Sequence, residues 1–244
     1  EPALNKVRKG IVGGIHYKED EIGDAYKFCK ALEGLVRSKG GRILVNTDIK
    51  RILLNKRKVN SVVTDRAVLE AKRVVVCAGC LSTTLVKQLG IKIPVKPVKG
   101  YSLTYNTAGI QNAPKLSIID ESIHIAITPF LNRIRVAGTA EFVGLNDAMH
   151  PKRIDYLNSK LNEVYPNLYS KIKDDEECEL WFGFRPMSAD GLPFIGESKI
   201  KGLYINTGHG HLGWTLALGS AELLADQLVG RETQINSKPY QANR

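Results

Sequence analysis

The chain reads as a mixed fold, part α/β and part α+β, and three observations carry this reading. A helical pattern leads through a hairpin into the all-valine run 74–76, which is apolar on both faces and empties into the small turn Ala78-Gly79. Beyond Ile93 the pattern changes to alternating polar and apolar residues, the mark of an antiparallel sheet with one covered face. Near the C-terminus, strand 203–205 enters the glycine-rich turn Asn206-Thr207-Gly208-His209-Gly210-His211-Leu212-Gly213-Trp214-Thr215 and then an alanine-rich helix.

Taken in order, residues 1–20 contain Gly13-Gly14 followed by Ile15-His16-Tyr17, which reads as a short extended segment, and no initiator methionine opens them. Asp24 then caps a helix in which Ala25, Phe28, Cys29, Leu32, Leu35 and Val36 fall at the three-and-four spacing of one buried face, ended by Gly40-Gly41. Strand 43–45 follows, then strands 49–54 and 59–64 joined by the basic turn 55–58. After strand 74–76, Ser82 starts a short helix that Gly90 ends. Helix, strand, hairpin and buried strand in this order resemble one edge of a nucleotide-binding α/β lobe.

From residue 93 the alternation predicts strands at 122–128, with Ile123, Ile125 and Ile127 on one face, and at 133–137 after a turn at Asn132. A helix spans about 153–164, with Ile154, Leu157, Leu161 and Val164 apolar, and stops at Pro166. Strand 180–184 leads into Arg185-Pro186 and a turn, before the terminal strand, glycine turn and helix.

Apolar residues make up 43% of the 244 and charged ones 25%, a globular composition. The net charge of +10 attracts phosphate at long range, but Lys and Arg are scattered, and neither an RNA-binding aromatic signature nor a DNA-binding helix pair accompanies them. No nucleic-acid role is expected, whereas a basic face suits peripheral contact with an anionic membrane. No apolar run reaches the roughly 18 residues of a membrane-spanning helix, and no signal-peptide pattern opens the chain, so a cytoplasmic setting is expected. Cys77-Ala78-Gly79-Cys80 is formally C-x-x-C at a strand-to-turn junction; it is read as a fortuitous pair, with a redox site as the alternative. His209 and His211 form H-x-H, which a metal or an ordinary turn would equally explain; no metal site is expected.

Gly208, Gly210 and Gly213 spell G-x-G-x-x-G between strand and helix. A dinucleotide fold needs a further strand and an acidic residue about 20 positions on, and only a polar tail follows Gly230. The turn is therefore read as a helix N-terminus offering backbone N–H groups to an electron-rich group. A second constellation, Trp181-Phe182-Gly183-Phe184-Arg185-Pro186-Met187-Ser188-Ala189-Asp190-Gly191-Leu192-Pro193, places a guanidinium at the end of an aromatic strand, where it suits bidentate capture of a carboxylate. Pairing of Arg185 with Asp190 at the surface is the plainer alternative.

These two constellations, the strand-turn 74–79 and Val95-Lys96-Pro97-Val98-Lys99-Gly100-Tyr101-Ser102-Leu103 together resemble the FAD-dependent D-amino acid dehydrogenases of the D-amino acid oxidase/glycine oxidase superfamily, in order from Glu1-Pro2-Ala3-Leu4 to the tail. The resemblance implies a partial FAD-binding α/β lobe (21–92 and 184–244) interleaved with an antiparallel-sheet substrate domain (93–183, with a strand from 1–20). It implies that Gly208, Gly210, His211, Leu212, Gly213, Trp214 and Thr215 line the flavin, that Ile49 meets the adenine, and that Ala78 and Gly79 lie near the ribose and pyrophosphate. Arg185 resembles the anchor of the substrate carboxylate and Tyr101 a wall of the substrate pocket. The implied reaction is oxidative deamination of a D-amino acid to a 2-oxo acid and ammonia, with no acid/base residue required and with electrons passed toward a membrane quinone.

The family's opening βαβ unit, which carries the pyrophosphate-binding G-x-G-x-x-G, has no counterpart here. Three readings stay open: one part of a split or processed enzyme working with a separate N-terminal FAD-binding chain, an inactive remnant, or a binding module reusing the substrate lobe. The isolated chain is expected to hold FAD weakly or not at all, to be inactive without that unit, and to self-associate through an exposed sheet edge.

Overall fold

A computed structural model of the chain describes residues 1–4 and 12–244. The described residues form two compact units, Glu1–Ala31 with Lys99–Gly183, and Leu32–Val98 with Phe184–Arg244. The extended segment expected at 15–17 carries no strand; these residues are exposed and irregular.

The first unit is built on a five-stranded sheet in the order β6-β7-β8-β5-β9, from β5 (Val95–Asn106), β6 (Ile118–Asp120), β7 (Ile125–Phe130), β8 (Arg133–Glu141) and β9 (Glu179–Ser188). Alternation selects one face of it: Tyr101, Leu103, Tyr105, Ile125, Ile127, Ile134 and Val136 bury against Leu157, Leu161 and Val164 of α3 (Pro151–Val164) and Leu168 and Ile172 of α4 (Pro166–Ile172). The strand expected from 122 starts at Ile125, because 121–124 make a turn with His124 at φ 51°. Pro166 stops one helix and opens another, its fixed φ suiting the first position of α4. Lys99 is buried, its ammonium donating to the carbonyls of Asn146 (2.9 Å) and Ala148 (2.5 Å) and lying 4.1 Å from the centre of the Phe182 ring.

The second unit holds the hairpin β1 (Ile49–Asn55) and β2 (Lys58–Thr64), a third strand β3 (Val68–Glu70), and a separate sheet in the order β10-β11-β4. In that sheet β4 (Val74–Val76) runs parallel to β11 (Leu203–Thr207), which pairs antiparallel with β10 (Phe194–Glu197). Helix α2 (Ser82–Lys87) follows β4, and α5 (Gly213–Val229) follows β11 and ends at Gly230. Ile52, Val59, Val76, Val86, Phe194, Leu203 and Ile205 make the core.

Three departures from the sequence reading fall in or beside this unit. Residues 43–45 are not a strand, and Leu44 and Val45 are 51% and 60% exposed. Helix α1 (Ala25–Ser38) forms where expected, with Asp24 accepting from Lys27 N–H, yet none of its residues is buried. Of the valines in β4 only Val76 is buried, and Val75 is 37% exposed. Each element has the right local pattern, and among the described residues none covers it fully.

Candidate functional site

Strand β9 does not stop before Pro186 but runs on to Ser188. It lies at the edge of its sheet, where a proline costs no ladder hydrogen bond. Within the second unit its last residues are tied on two sides. The Cys80 thiol lies 3.7 Å from the Phe184 carbonyl, and Met187 forms an antiparallel bridge with His209. Arg185 sits between these ties, half-buried, and burial lowers its pKa from the usual guanidinium value. One strand thus fastens the Ala78-Gly79-Cys80 turn and the Gly208–Gly210 turn to the residue expected to anchor a carboxylate.

The two turns are also joined directly, since the Thr207 hydroxyl donates to the Gly79 carbonyl at 2.9 Å. Gly208 and Gly210 take φ of 85° and 56°. A Cβ on Gly210 would sit 2.9 Å from the Met187 sulfur, and one on Gly208 would press on Phe194 and Val95 at 3.3 Å. Only glycine allows both the left-handed backbone and the close packing against β9. A 3-10 turn, Gly210–Leu212, then leads into α5, which brings the helix N-terminus and its backbone N–H groups beside the two turns. His211, Leu212, Trp214 and Thr215 are exposed beside those donors. Ser188 Oγ and Asn206 Oδ1, in β9 and β11, are buried without a hydrogen-bond partner.

These features fit the ring end of a flavin. The N-terminal end of α5 suits the N1/C2 carbonyl end, where reduction adds negative charge, and the flanking glycines permit close approach of a planar group. The other residues expected to touch the cofactor lie in the same unit: Ile49 and Ala78 line a cavity of about 230 Å³ along β4, and Gly79 follows at φ 52°.

Tyr101 is placed elsewhere. It is 1% exposed in the core of the first unit, its hydroxyl donates to Glu141 at 2.7 Å, and its ring belongs to the cluster that packs on the helices. Glu141 also accepts from Arg153 at 2.8 Å; that bond, followed by the one from Tyr101, lowers the Glu141 pKa, while burial first and Glu141 second raise that of Tyr101. The large cavity of this unit, about 710 Å³, is bordered by Asp24, Thr104, Phe130 and Arg133 instead.

Asp190 carries Arg244, not Arg185, with Nε and Nη2 of Arg244 at 2.9 and 3.0 Å from its two oxygens. Burial pushes the Cys77 and Cys80 thiols above the usual range, opposite to the need of a reactive thiolate. Nε2 of His209 lies 3.0 Å from Ser220 Oγ, and burial lowers its pKa from the ordinary imidazole value. Among the described residues no three His, Cys, Asp or Glu gather as a metal site, and no helix is long and apolar enough to cross a membrane. The Arg244 clamp was missed because the tail looked merely polar; an arginine one side chain's reach from an Asp-Gly turn has no local signature.

Comparison with known proteins agrees with the geometry. Residues 1–227 match the family described as FAD dependent oxidoreductase (DAO). A D-amino acid dehydrogenase of Vibrio vulnificus (strain YJ016) is 43% identical over 234 residues, covering 96% of this chain and 55% of that protein. Another, of Rhizobium johnstonii, is 41% identical over 244 residues, covering 100% of this chain and 58% of that protein. Among solved structures, glycine oxidase of Geobacillus kaustophilus superposes with a TM-score of 0.81 at 23% identity, over 90% of this chain and 58% of that one. Glycine oxidase of Bacillus cereus gives 0.78 at 28% identity, over 90% and 59%. The chain thus spans a little over half the length of these relatives.

Proposed function

The chain belongs to the FAD dependent oxidoreductase family and corresponds to the C-terminal portion of a D-amino acid dehydrogenase, and from that premise we propose that it supplies the flavin-ring turn and the substrate-carboxylate anchor of an enzyme that oxidatively deaminates D-amino acids. The observation that carries this reading is the double fastening of β9, which holds Arg185 between the Ala78-Gly79 and Gly208–Gly210 turns. In this proposal the second unit is the FAD lobe and the first the substrate lobe.

The chemistry asks for orientation more than for proton transfer. Bound FAD would supply the two-electron acceptor. Arg185, pinned on both sides, would fix the substrate carboxylate by a bidentate, charge-assisted contact. The first-turn amides of α5 and the exposed Trp214 and Leu212 would hold the ring and keep water from it. A neutral substrate amine is needed, and no side chain of the candidate site is asked to act as a base.

Co-expression of this chain with the part of the Vibrio vulnificus relative outside the matched 55% tests the reading. The purified pair should retain yellow flavin after desalting and reduce a dye in the presence of D-alanine, while the chain alone should be colourless. A colourless, inactive pair would refute the assignment and favour the remnant reading.

A further inference from the structure

We propose that the first unit carries a ligand site of its own, a cavity at one end of the five-stranded sheet that takes an apolar α-amino acid in its zwitterionic form. The cavity measures about 710 Å³, within the range of small-molecule sites. All of its residues lie in the first unit, while Arg185 and both glycine turns lie in the second, so the site stands whether or not the chain holds flavin.

Strand ends build its floor. Asn106 closes β5, Phe130 closes β7, Arg133 opens β8 and Glu179 opens β9, and all four border the cavity. In the sheet β5 lies between β8 and β9. Neighbouring strands are about 4.8 Å apart, so the strands that carry Arg133 and Glu179 run about 10 Å apart. One side of the cavity is cationic. Lys27 of α1 is exposed and has no ion pair among the described residues. Arg133 gives one N–H to Asp24 at 3.0 Å, which orients the guanidinium and leaves its other donors open. The other side is anionic: Glu177 and Glu179 are exposed, and among the described residues neither carboxylate has an ion pair.

Two cations and two anions border one cavity without neutralising each other. That arrangement suits a ligand that brings both charges, a carboxylate for Lys27 and Arg133 and an ammonium for Glu177 and Glu179. A phosphate or a nucleic acid would meet the two glutamates as like charges. A metal ion would lack its ligands, since among the described residues no three His, Cys, Asp or Glu gather.

The rim supplies the preference for an apolar side chain. Phe130 pairs with Arg133 across the two-residue loop Leu131-Asn132. Leu131 takes φ 47° and is 96% exposed. A left-handed backbone in such a loop is the place of glycine, asparagine or aspartate, and a bare leucine there adds nothing to the core. Strain kept at such a residue has no gain within the fold; beside a cavity, the gain is contact with a ligand. Ile22, 45% exposed, and Phe130 border the same space, so three apolar residues meet the ligand's side chain.

The test uses the full chain without flavin and racemic leucine as the probe, read by amide NMR shifts. Saturable binding with Kd of about 1 mM or tighter is expected, with shifts confined to 22–27, 104–108, 129–133 and 177–179. Leucinamide, which lacks the carboxylate, and isocaproate, which lacks the ammonium, should each bind at least about tenfold more weakly. Lys27→Ala and Glu179→Gln, both at exposed side chains, should weaken leucine by about tenfold with the thermal midpoint unchanged. Leu131→Gly separates a ligand role from a structural one. By releasing the left-handed strain it should leave the midpoint unchanged or higher, yet weaken leucine by about threefold or more. Arg185→Ala should bind leucine here as the wild type does. No saturable binding by about 20 mM leucine, leucinamide and isocaproate binding as tightly as leucine, wild-type affinity in Lys27→Ala and Glu179→Gln or in Leu131→Gly, or loss of binding in Arg185→Ala would each overturn the proposal.

Discussion

Arg244→Ala should destabilise the second unit by about 2–3 kcal/mol, and the contacts of this one side chain account for the figure. The guanidinium is bidentate to Asp190, donates to the carbonyls of Leu192 (2.6 Å) and Pro193 (2.9 Å), and stacks 3.8 Å above the Phe194 ring. Asp190 is 49% exposed and Arg244 only 18%, so the ion pair, screened by solvent, contributes no more than about 1 kcal/mol. Two carbonyl hydrogen bonds add about 1 kcal/mol each, and the ring contact about 0.5. Because these act together they do not sum fully. The loss should lower the melting midpoint by about 5–10 °C in thermal circular dichroism. Asp190→Ala should cost less, and the double-mutant cycle should give a coupling of about 0.5–1 kcal/mol. The pH dependence has a definite sign. The Arg244 hydrogen bonds hold the Asp190 carboxyl at about 2, below its ordinary 3.8. A depressed carboxylate pKa stabilises above the unfolded value, so the coupling is whole above about pH 4 and fades as pH falls toward 2. A midpoint shift under about 2 °C at pH 7, or a coupling that grows on acidification, would refute the clamp.

Other substitutions separate the roles assigned to the remaining residues. In the reconstituted enzyme, Arg185→Ala should raise KM for the D-amino acid by about 10- to 100-fold, the loss of a charge-assisted contact of about 1.5–3 kcal/mol; an unchanged KM would remove Arg185 from the site. Gly210→Ala meets both a φ of 56° and the Met187 sulfur, and urea unfolding should show a loss of about 1–2 kcal/mol, whereas wild-type stability would mean that the turn relaxes freely. Tyr101→Phe should lower stability by about 1 kcal/mol through the lost bond to Glu141 and leave KM where it was; a raised KM with unchanged stability would return Tyr101 to the pocket wall.

What could be read from the sequence was what local chemistry decides. The Asp24 cap, the hairpin 49–64, the run to Gly213 and the helix behind it all follow from spacing, turn residues and caps, and they stand where expected. What escaped depends on partners far away in sequence. The pattern of 43–45 is that of a strand, but a strand exists only when something accepts its hydrogen bonds. Pro186 reads as a breaker until β9 is known to be an edge. Tyr101, in a motif that implies a pocket wall, faces the helices because the alternation of β5 puts Tyr101, Leu103 and Tyr105 on one side together. Cys77 and Cys80 look alike on paper; burial, which spacing does not show, raises both thiols.

The placement of the proposed carboxylate anchor follows from contacts made within the second unit. Arg185, the Ala78-Gly79 turn and the Gly208–Gly210 turn are fastened to one another by bonds wholly inside the second unit: Cys80 to Phe184, Met187 to His209, Thr207 to Gly79. Their spacing therefore does not wait on a partner. A substitution that loosens a tie, such as Thr207→Val, should lower kcat per bound flavin in the reconstituted enzyme while flavin content stays as it was, because it disturbs the placement of a carboxylate anchor against the ring turn.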